Sequence, residues 1–122
     1  MPVKIKTFTD LTSWQKAHSL VLDIYKIVED FPAKEKFVLS SQILRAAISI
    51  TSNIAEGFGR RGSKEKIQFY YVAQASLVEV QNQLIIAKDV GYLKKFKFDG
   101  LWQQTIVIHK LIGGLIRSIK SK

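Results

Sequence analysis

The stretch LSSQILRAAISITSNIAEGFGRRGS, residues 39–63, decides the fold of this chain. Its apolar residues recur at the three- and four-residue spacing of an α-helix, and they do not alternate as in a strand. At the helical angle of roughly 100° per residue, the polar residues share one arc of about 120°. These polar residues are Gln42, Arg45, Ser49, Ser52, Asn53 and Glu56. The glycine-rich end is typical of a turn, so the stretch predicts a helix followed by a reversal of the chain.

The same reading, extended outward, divides the chain into four helical segments. Proline, which breaks helices, is rare, and glycines occur at only a few places. Long uninterrupted helices are therefore possible between these places. The first helix has Asp10 or Thr12 as candidate N-caps, and the third has Ser63 as N-cap and Gly91 as C-cap. The second is predicted with a break near Leu39. The predicted helices span about 12–31, 34–58, 64–90 and 98–119.

Short connections make sequential helices antiparallel neighbours. The chain is therefore predicted to be all-α, an antiparallel up-down four-helix bundle in which residues 1–122 form one domain. A hydrophobic fraction of 47% excludes a disordered tail. The absence of cysteine excludes a disulfide scaffold, thiolate metal sites and a cysteine nucleophile. No apolar run approaches a membrane span and no signal peptide is recognised, so a cytoplasmic protein without membrane partners is expected.

The charge is strongly basic and, in an up-down bundle, it gathers at one end. The chain has 19 Lys+Arg against 10 Asp+Glu, a formal net charge of +9. We call the end that holds the N-terminal segment, the second loop and the C-terminus the basic pole. Nine basic residues against three acidic ones give this pole a net charge of +6, whereas six against five give the other end +1. The nine are Lys4, Lys6, Arg60, Arg61, Lys64, Lys66, Arg117, Lys120 and Lys122.

These nine residues are the predicted nucleic-acid-binding site, because clustered cations bind phosphates. Backbone N–H groups at the start of the third helix, beside Arg60 and Arg61, are a candidate phosphate contact. The alternatives are that the charge only keeps the protein soluble, or that the binding face is the loop Lys94–Lys97. In that loop Tyr92 is the best candidate for stacking on a base.

Residues 57–62 match G-x-G-x-x-G, but the match carries no nucleotide site. The dinucleotide fingerprint needs a strand before it, and here a helix precedes it. A P-loop needs Gly-Lys-Ser/Thr, whereas this chain has Gly62-Ser63-Lys64. We therefore predict no bound nucleotide cofactor.

Metal binding and catalysis are not predicted either. The only histidines are His18 and His109, and neither belongs to the Glu-x-x-His pattern of di-iron bundles. No serine or threonine has a recognisable base beside it. Glu56 and Glu79 are the acidic residues expected to be half-buried. We expect no catalytic residue, no metal, no cofactor and no enzymatic activity.

The polar arc of the second helix contains a ladder of side chains at spacings of four, four and three residues. Its members are Arg45, Ser49, Asn53 and Glu56. Such spacings place the side chains next to one another along the helix. We predict a structural ladder that sets helix register or a subunit contact.

The second and fourth helices have apolar faces wider than a single core needs. Exposed apolar patches of that size are rare on monomers, so burial by another subunit is predicted. The alternative is that the two helices are simply central in the bundle. Gly113 and Gly114, inside the fourth helix, cost about 1 kcal/mol each relative to alanine. A close helix approach or a bend at a subunit contact would explain that cost.

Short motifs through nearly the whole chain resemble a known family. They are Asp10-Leu11, Trp14-Gln15-Lys16-Ala17, Ile24-Tyr25, Phe31-Pro32, Glu35, Leu39-Ser40-Ser41-Gln42, Arg45-Ala46-Ala47, Ser49-Ile50, Ser52-Asn53-Ile54-Ala55-Glu56-Gly57, Ala73, Ser76, Glu79, Leu84 and Leu115-Ile116-Arg117-Ser118. In this order they are similar to the four-helix-bundle family named for proteins encoded in intervening sequences of 23S ribosomal RNA. Thr51 stands where a proline is usual, and Ala75 where a glycine is usual.

The resemblance implies a bundle that assembles as a ring-shaped homopentamer, and it carries over no catalytic residue. The accessory protein of diversity-generating retroelements, which binds a reverse transcriptase and nucleic acid, is similar in fold and basic character. Our leading hypothesis is a non-enzymatic, oligomeric RNA-binding protein that contacts phosphates through its basic pole. The alternative is a protein-interaction scaffold or accessory subunit, for example for a reverse transcriptase.

Overall fold

The computed structural model describes residues 4–122 and is all-α over that range. Two short 3₁₀ turns, Phe8–Asp10 and Ala33–Glu35, precede the first and second long helices. The long helices are α1 (Thr12–Val28), α2 (Leu39–Gly59), α3 (Ser63–Asp89) and α4 (Lys95–Lys120). The prediction of an all-α chain with four helices is confirmed. No helix in this part of the chain combines the length and the apolar character needed to cross a membrane.

The four helices pack as a closed ring in sequence order. Each contacts its two neighbours, α1 against α2 and α4, and α3 against α2 and α4. Polar cross-links join facing helices: Gln104 Nε2 of α4 donates to Asp23 Oδ2 of α1 at 2.9 Å, and Gln81 Nε2 of α3 donates to Thr105 Oγ1 of α4 at 3.0 Å. The apolar surface of α2 is divided between α1 and α3, and no Cα atom of α2 lies within 8 Å of one in α4. The two helices with wide apolar faces are therefore not a central pair.

The first helix ends earlier than predicted. α1 ends at Val28, not at residue 31, because the following amides of Asp30 and Phe31 bond to carbonyls only three residues back, at 3.1 and 3.0 Å. The proline after Phe31 disfavours helical geometry there, and the chain tightens before leaving the helix. Phe31 itself turns into the core.

The second helix begins later than predicted, at the place where a break in it was predicted. α2 begins at Leu39, because residues 33–38 form the 3₁₀ turn and a non-helical link whose last residue, Val38, has φ −119° and ψ −99°. Glu35 Oε1 accepts a hydrogen bond from the Leu39 amide at 3.4 Å. The break predicted near Leu39 is therefore where the helix begins.

Two predicted N-caps are wrong, and Gly91, predicted as the C-cap of α3, is the residue that follows the C-cap Val90. Gly62 caps α3, and Ser63 is already helical and makes no capping bond. Leu11 caps α1 without a side-chain bond. Gly91, at φ +90°, follows α3, and its amide and that of Tyr92 bond back to Lys88 and Ala87 at 3.1 and 2.9 Å. This is a Schellman arrangement, which needs the left-handed geometry that glycine adopts freely.

The fourth helix begins about one turn earlier than the predicted residue 98. Its first residue is Lys95 and its N-cap is Lys94, whose carbonyl accepts the Phe98 amide at 2.9 Å. No glycine or proline lies between Tyr92 and Phe98 to delay the helix. The lysine-rich segment predicted as a loop is therefore mostly the first turn of a helix.

The core is one apolar cluster, and its closest helix pair is α2 with α3. A side chain at Gly57 would bring its Cβ to 2.6 Å from Cε1 of the Tyr70 ring, so Tyr70 packs directly on the α2 backbone. Tyr70 is buried, and burial raises the pKa of its phenol. Farther along the same pair, Ser76 Oγ donates to Ser49 Oγ at 2.8 Å. The short turn at 60–62 is possible because the two helices already touch at its base.

Replacing Gly57 by alanine is therefore expected to destabilise the bundle. The added methyl must displace the Tyr70 ring, and overpacking of this kind costs about 1–3 kcal/mol. Gly59→Ala is the matched control, because a Cβ there meets nothing within 4 Å. The free energies of unfolding in urea provide the measurement. Equal stability of the two variants would contradict the close approach.

Candidate nucleic-acid interface

The basic pole is built from three pieces of chain brought to one end of the bundle. The N-terminal segment lies there, where Phe8 lines a groove together with Ser52 of α2 and Arg60 of the α2–α3 turn. Ile5 of the same segment lines a groove with Leu115 and Ser118 near the end of α4. The α2–α3 turn closes the end of the bundle. The antiparallel topology thus places the nine predicted binding residues around one end.

Arg60 is not a free cation. Its Nη2 donates to Glu56 Oε2 at 3.1 Å, and its Nη1 lies 3.8 Å from Glu65 Oε2. The guanidinium also sits 4.7 Å from the centroid of the Phe69 ring. Two carboxylates and a ring therefore engage this side chain, and Arg60 mainly ties the turn to the start of α3.

Lys66 is used to cap α2. Its Nζ donates to the carbonyl oxygens of Gly57 and Phe58 at 3.2 and 2.7 Å, and it lies 5.6 Å from the Phe58 ring centroid. Carbonyls at a helix C-terminus lack partners within the helix and carry partial negative charge, which a lysine stabilises. The prediction that Lys66 is available for phosphates therefore disagrees with its contacts.

Lys120 is held at the side of the pole. Its Nζ donates to the hydroxyl of Tyr71 at 2.8 Å and lies 5.5 Å from the ring centroid. This contact links the end of α4 to α3. A neutral partner leaves the positive charge in place, and the side chain is exposed, so Lys120 still contributes to the potential of the pole.

The remaining six basic residues are exposed and make no ion pair within residues 4–122. They are Lys4, Lys6, Arg61, Lys64, Arg117 and Lys122. The acidic residues of the pole are all engaged: Glu56 and Glu65 face Arg60, and Asp10 binds backbone amides. The six cations therefore present uncompensated positive charge at the pole.

Arg117 also accounts for one of the two glycines inside α4. A Cβ at Gly113 would lie 3.2 Å from Arg117 Nη1, so the arginine lies back along the helix over Gly113. A Cβ at Gly114 would meet only Arg117, at 3.9 Å. No neighbouring helix of this chain approaches closely enough to require either glycine.

Asp10 holds the N-terminal segment in place. Its Oδ2 accepts hydrogen bonds from the backbone amides of Lys6 and Thr7 at 2.9 and 3.1 Å. These bonds, together with the charge of Lys6, lower the pKa of the Asp10 carboxyl. A lowered pKa gives stability that is present above the ordinary pKa of aspartate and is lost as the pH falls through the folded value. The segment that carries Lys4 and Lys6 is thus best fixed at neutral pH.

The predicted polar ladder exists only in its middle. Asn53 Nδ2 donates to the carbonyl and the hydroxyl of Ser49 at 2.8 and 3.0 Å, and Ser76 of α3 extends this network through Ser49. Arg45 is exposed and makes no hydrogen bond within the described part of the chain, whereas Glu56 turns toward Arg60. The network joins α2 to α3 and does not run the length of α2.

The opposite end of the bundle differs from its prediction. Tyr92 is not an exposed stacking residue: its hydroxyl donates to Glu35 Oε2 at 2.9 Å, and its ring centroid lies 5.7 Å from that of Phe31. The hydrogen bond with Glu35 is the main cause that raises the pKa of Tyr92. The rings that do face solvent are Phe37 and Phe96, which sequence reasoning missed. The signal that marks them is a phenylalanine next to lysines outside the apolar repeat.

The residues considered for metal binding or catalysis do not come together. Within residues 4–122 no three His, Asp or Glu side chains form a group able to hold a metal ion. His18 is exposed and stacks on Trp14 with the ring centroids 4.7 Å apart. Glu56 and Glu79 are exposed, not half-buried as expected. The arrangement of charges at the basic pole therefore remains the main chemical feature.

Five exposed large apolar side chains lie on α3, which sequence reasoning did not single out. Most of the apolar residues of α2 are buried in this bundle, and only Ile48 of the helix proper is exposed. On α3 the exposed large apolar residues are Tyr71, Val72, Val78, Ile85 and Ile86, and Val90 follows directly after the helix. The prediction of excess apolar surface is therefore wrong for α2, whose apolar face is used inside the bundle, whereas α4 leaves Phe96 and Val107 exposed.

Comparison with known proteins supports the resemblance. The sequence matches the family model described as 23S rRNA-intervening sequence protein over residues 9–114. A solved structure of a protein of unknown function, from the S23 ribosomal protein family of Bacteroides thetaiotaomicron VPI-5482, is similar with a TM-score of 0.80 and 23% sequence identity. That alignment covers 86% of this chain and 98% of the other. No curated protein matches the sequence.

We expect Lys66→Met to destabilise the protein, although it changes a residue first predicted to bind RNA. Methionine keeps much of the apolar stem but removes both bonds to the end of α2. Charge-assisted hydrogen bonds of this type contribute roughly 1–3 kcal/mol each at most, so a loss of about 1–2 kcal/mol is expected. Lys64→Met, two residues away and fully exposed, is the control. The melting temperatures are measured by circular dichroism. Equal melting temperatures of the two variants would contradict the capping role.

Proposed function

Because the chain belongs to the 23S rRNA-intervening sequence protein family, we propose that it is a non-enzymatic, oligomeric RNA-binding protein of the cytoplasm that contacts phosphates through its basic pole. The observation that carries the proposal is the set of six exposed cations without ion pairs. All six lie at one end, while the acidic residues there are engaged by Arg60 and by backbone amides. Such an asymmetry creates a positive potential that attracts a polyanion.

The chemistry of the pole favours recognition of the backbone and shape of the RNA. Lysine and arginine side chains bind phosphate oxygens without reading the base sequence. Arg61, Lys64 and Lys122 belong to two different pieces of chain, so they can follow a curved or paired RNA backbone. Binding that neutralises phosphates releases counterions and therefore weakens steeply with salt.

The oligomeric part of the proposal draws on the exposed face of α3. Five exposed residues of α3 follow one another at spacings of four, three, four and three residues. They are Tyr71, Ala75, Val78, Asn82 and Ile85. This spacing is that of a helix seam that packs against another helix. A second copy of the chain is the proposed occupant, since monomers seldom expose such a face. The ring-shaped pentamer implied by the family resemblance would repeat the basic pole around its axis.

The alternative function, a scaffold or accessory subunit for a polymerase such as a reverse transcriptase, would use the same face. In that case α3 contacts a different protein, and the charge of the pole assists solubility. The two functions differ in what happens to the purified chain alone. Self-association and salt-dependent RNA binding support the first, and a monomer that does not bind RNA supports the second.

Neutralising the pole should weaken RNA binding and flatten its salt dependence. For Arg61→Gln/Lys64→Gln/Lys122→Gln we expect the slope of log K against log salt to fall by about one per lost contact, roughly three in all. Binding of a structured RNA hairpin is measured by fluorescence anisotropy over a range of potassium chloride concentrations.

The control for this variant removes the same charge elsewhere. Lys16→Gln/Lys26→Gln/Lys110→Gln changes three exposed lysines on α1 and α4 away from the pole. It should keep most of the slope. Equal losses in both triple variants, or no binding of the wild-type protein at low salt, would refute the proposal.

Charged residues on the α3 face should dissociate the oligomer. In Val78→Glu/Ile85→Glu two carboxylates would enter the proposed seam, where they would be buried without partners. Light scattering is expected to give the mass of one chain for this variant and a multiple of it for the wild type. Leu22→Glu, on the exposed side of α1, is the control and should remain assembled. A monomeric wild type would contradict self-association through this face.

A further inference from the structure

Two phenylalanine rings at the end opposite the basic pole are exposed in a way that the fold does not need. Phe37 and Phe96 are each 83% exposed, the highest values among the large apolar residues of the described chain. The other phenylalanines of the same segments are less exposed. Phe31 is buried, and Phe98 is partly buried, with its ring centroid 5.5 Å from that of Trp102. The same segments therefore bury some aromatic rings and leave two outside.

Both exposed rings belong to one end of the bundle. Phe37 lies in the connection between α1 and α2, and Phe96 in the first turn of α4, just after the connection from α3. The two connections touch: the Tyr92 hydroxyl donates to Glu35 Oε2 at 2.9 Å, and the Tyr92 ring packs near Phe31. We call this end, residues 29–38 and 90–97, the aromatic pole.

Lysines stand beside each ring. Lys36 Nζ lies 5.4 Å from the centroid of Phe37, and Phe96 lies between Lys95 and Lys97 in the sequence. Lys95 Nζ is 2.7 Å from Asp99 Oδ2. The other lysines of the pole make no ion pair within residues 4–122; they are Lys34, Lys36, Lys94 and Lys97.

Two of the three lysines at the start of α4, Lys94 and Lys97, do not serve the stability of that helix. Lys94, Lys95 and Lys97 occupy its N-cap and first turn, where the helix dipole disfavours positive charge. The first turn contains no acidic residue. Asp99 compensates Lys95, whereas Lys94 and Lys97 make no ion pair within residues 4–122. An uncompensated electrostatic cost of this kind is typical of a surface that serves binding.

We propose that the aromatic pole binds single-stranded nucleic acid, with unpaired bases stacked on Phe37 and Phe96 and phosphates close to Lys36, Lys94 and Lys97. The inference rests on the proposed function for the kind of ligand, and it adds a second contact at the other end of the bundle. A single strand alternates bases and phosphates, and proteins that bind it combine rings with cations in the same way.

Two other occupants fit these residues less well. Protein interfaces are depleted of lysine at their centres, whereas here Phe96 has a lysine on each side in the sequence and Phe37 follows Lys36. A membrane surface is bound through a continuous apolar helix face, whereas Phe37 lies in a connection and Phe96 in the first turn of α4. Base stacking needs only isolated, accessible rings, so it fits best.

The test uses the full chain and two probes. The first is a fluorescent oligoadenylate of about 12 nucleotides, within the range that one single-strand binding module covers. The second is the same strand with abasic sites in place of the bases, which keeps the phosphates. We expect Phe37→Ala/Phe96→Ala to bind oligoadenylate about tenfold or more weakly than the wild type, with little change for the abasic strand. Equal binding of oligoadenylate by variant and wild type would overturn the proposal.

Two controls complete the experiment. His18→Ala removes another exposed ring, in the first half of α1 and away from this pole, and should leave oligoadenylate binding unchanged. Both rings of the double variant are exposed, so its melting temperature should equal that of the wild type. If the double variant instead loses self-association in light scattering, or binding to vesicles of anionic lipid, while oligoadenylate binding persists, a second copy or a membrane is the occupant and the proposal is wrong.

The triple variant of the basic pole separates this inference from the proposed function. It should lose the structured hairpin but keep ring-dependent binding of oligoadenylate. If the wild type binds oligoadenylate through its rings and does not bind the hairpin, the basic pole proposal fails and the aromatic pole stands. If it binds neither RNA, both are overturned.

Discussion

The close approach of α2 and α3 at Gly57 is the constraint on which the rest of the structure depends. The Tyr70 ring rests on the α2 backbone there, and the Ser49–Ser76 hydrogen bond repeats the contact two turns farther along. Because the two helices touch so near their junction, three residues suffice to reverse the chain. The remaining helices complete a ring around this pair, since α1 packs on α2 and α4 packs on α3.

The same constraint determines which charges remain free at the basic pole. A turn this short places Arg60 beside Glu56 and Glu65 and brings Lys66 back to the last carbonyls of α2. Those two cations stabilise the junction. Arg61 and Lys64 lie between them on the outside of the turn and have no such partners. Neighbouring residues of one charge cluster thus divide into those that hold the fold and those that face solvent.

Sequence periodicity predicted the four helices, the glycine after α3 and the gathering of charge at one end, because these depend on local spacing and chain order. It did not predict the partners of Arg60 and Lys66, which depend on how two helices meet. It also assigned Tyr92 to the surface and overlooked Phe37 and Phe96, because an aromatic residue in a short connection can turn inward or outward. The apolar face of α3 was missed for a related reason: its apolar residues surround the helix, so no single stripe stands out.

The length of α3 has a consequence for the proposed binding of RNA. Its 27 residues extend about 40 Å at the helical rise, and they separate the two poles by that distance. A short oligonucleotide can occupy one pole only. A longer RNA with a paired region and a flexible single-stranded arm can reach both, and the second contact then forms at a high effective concentration. The bundle would then favour RNA whose paired and unpaired parts are separated by about the distance between the two poles.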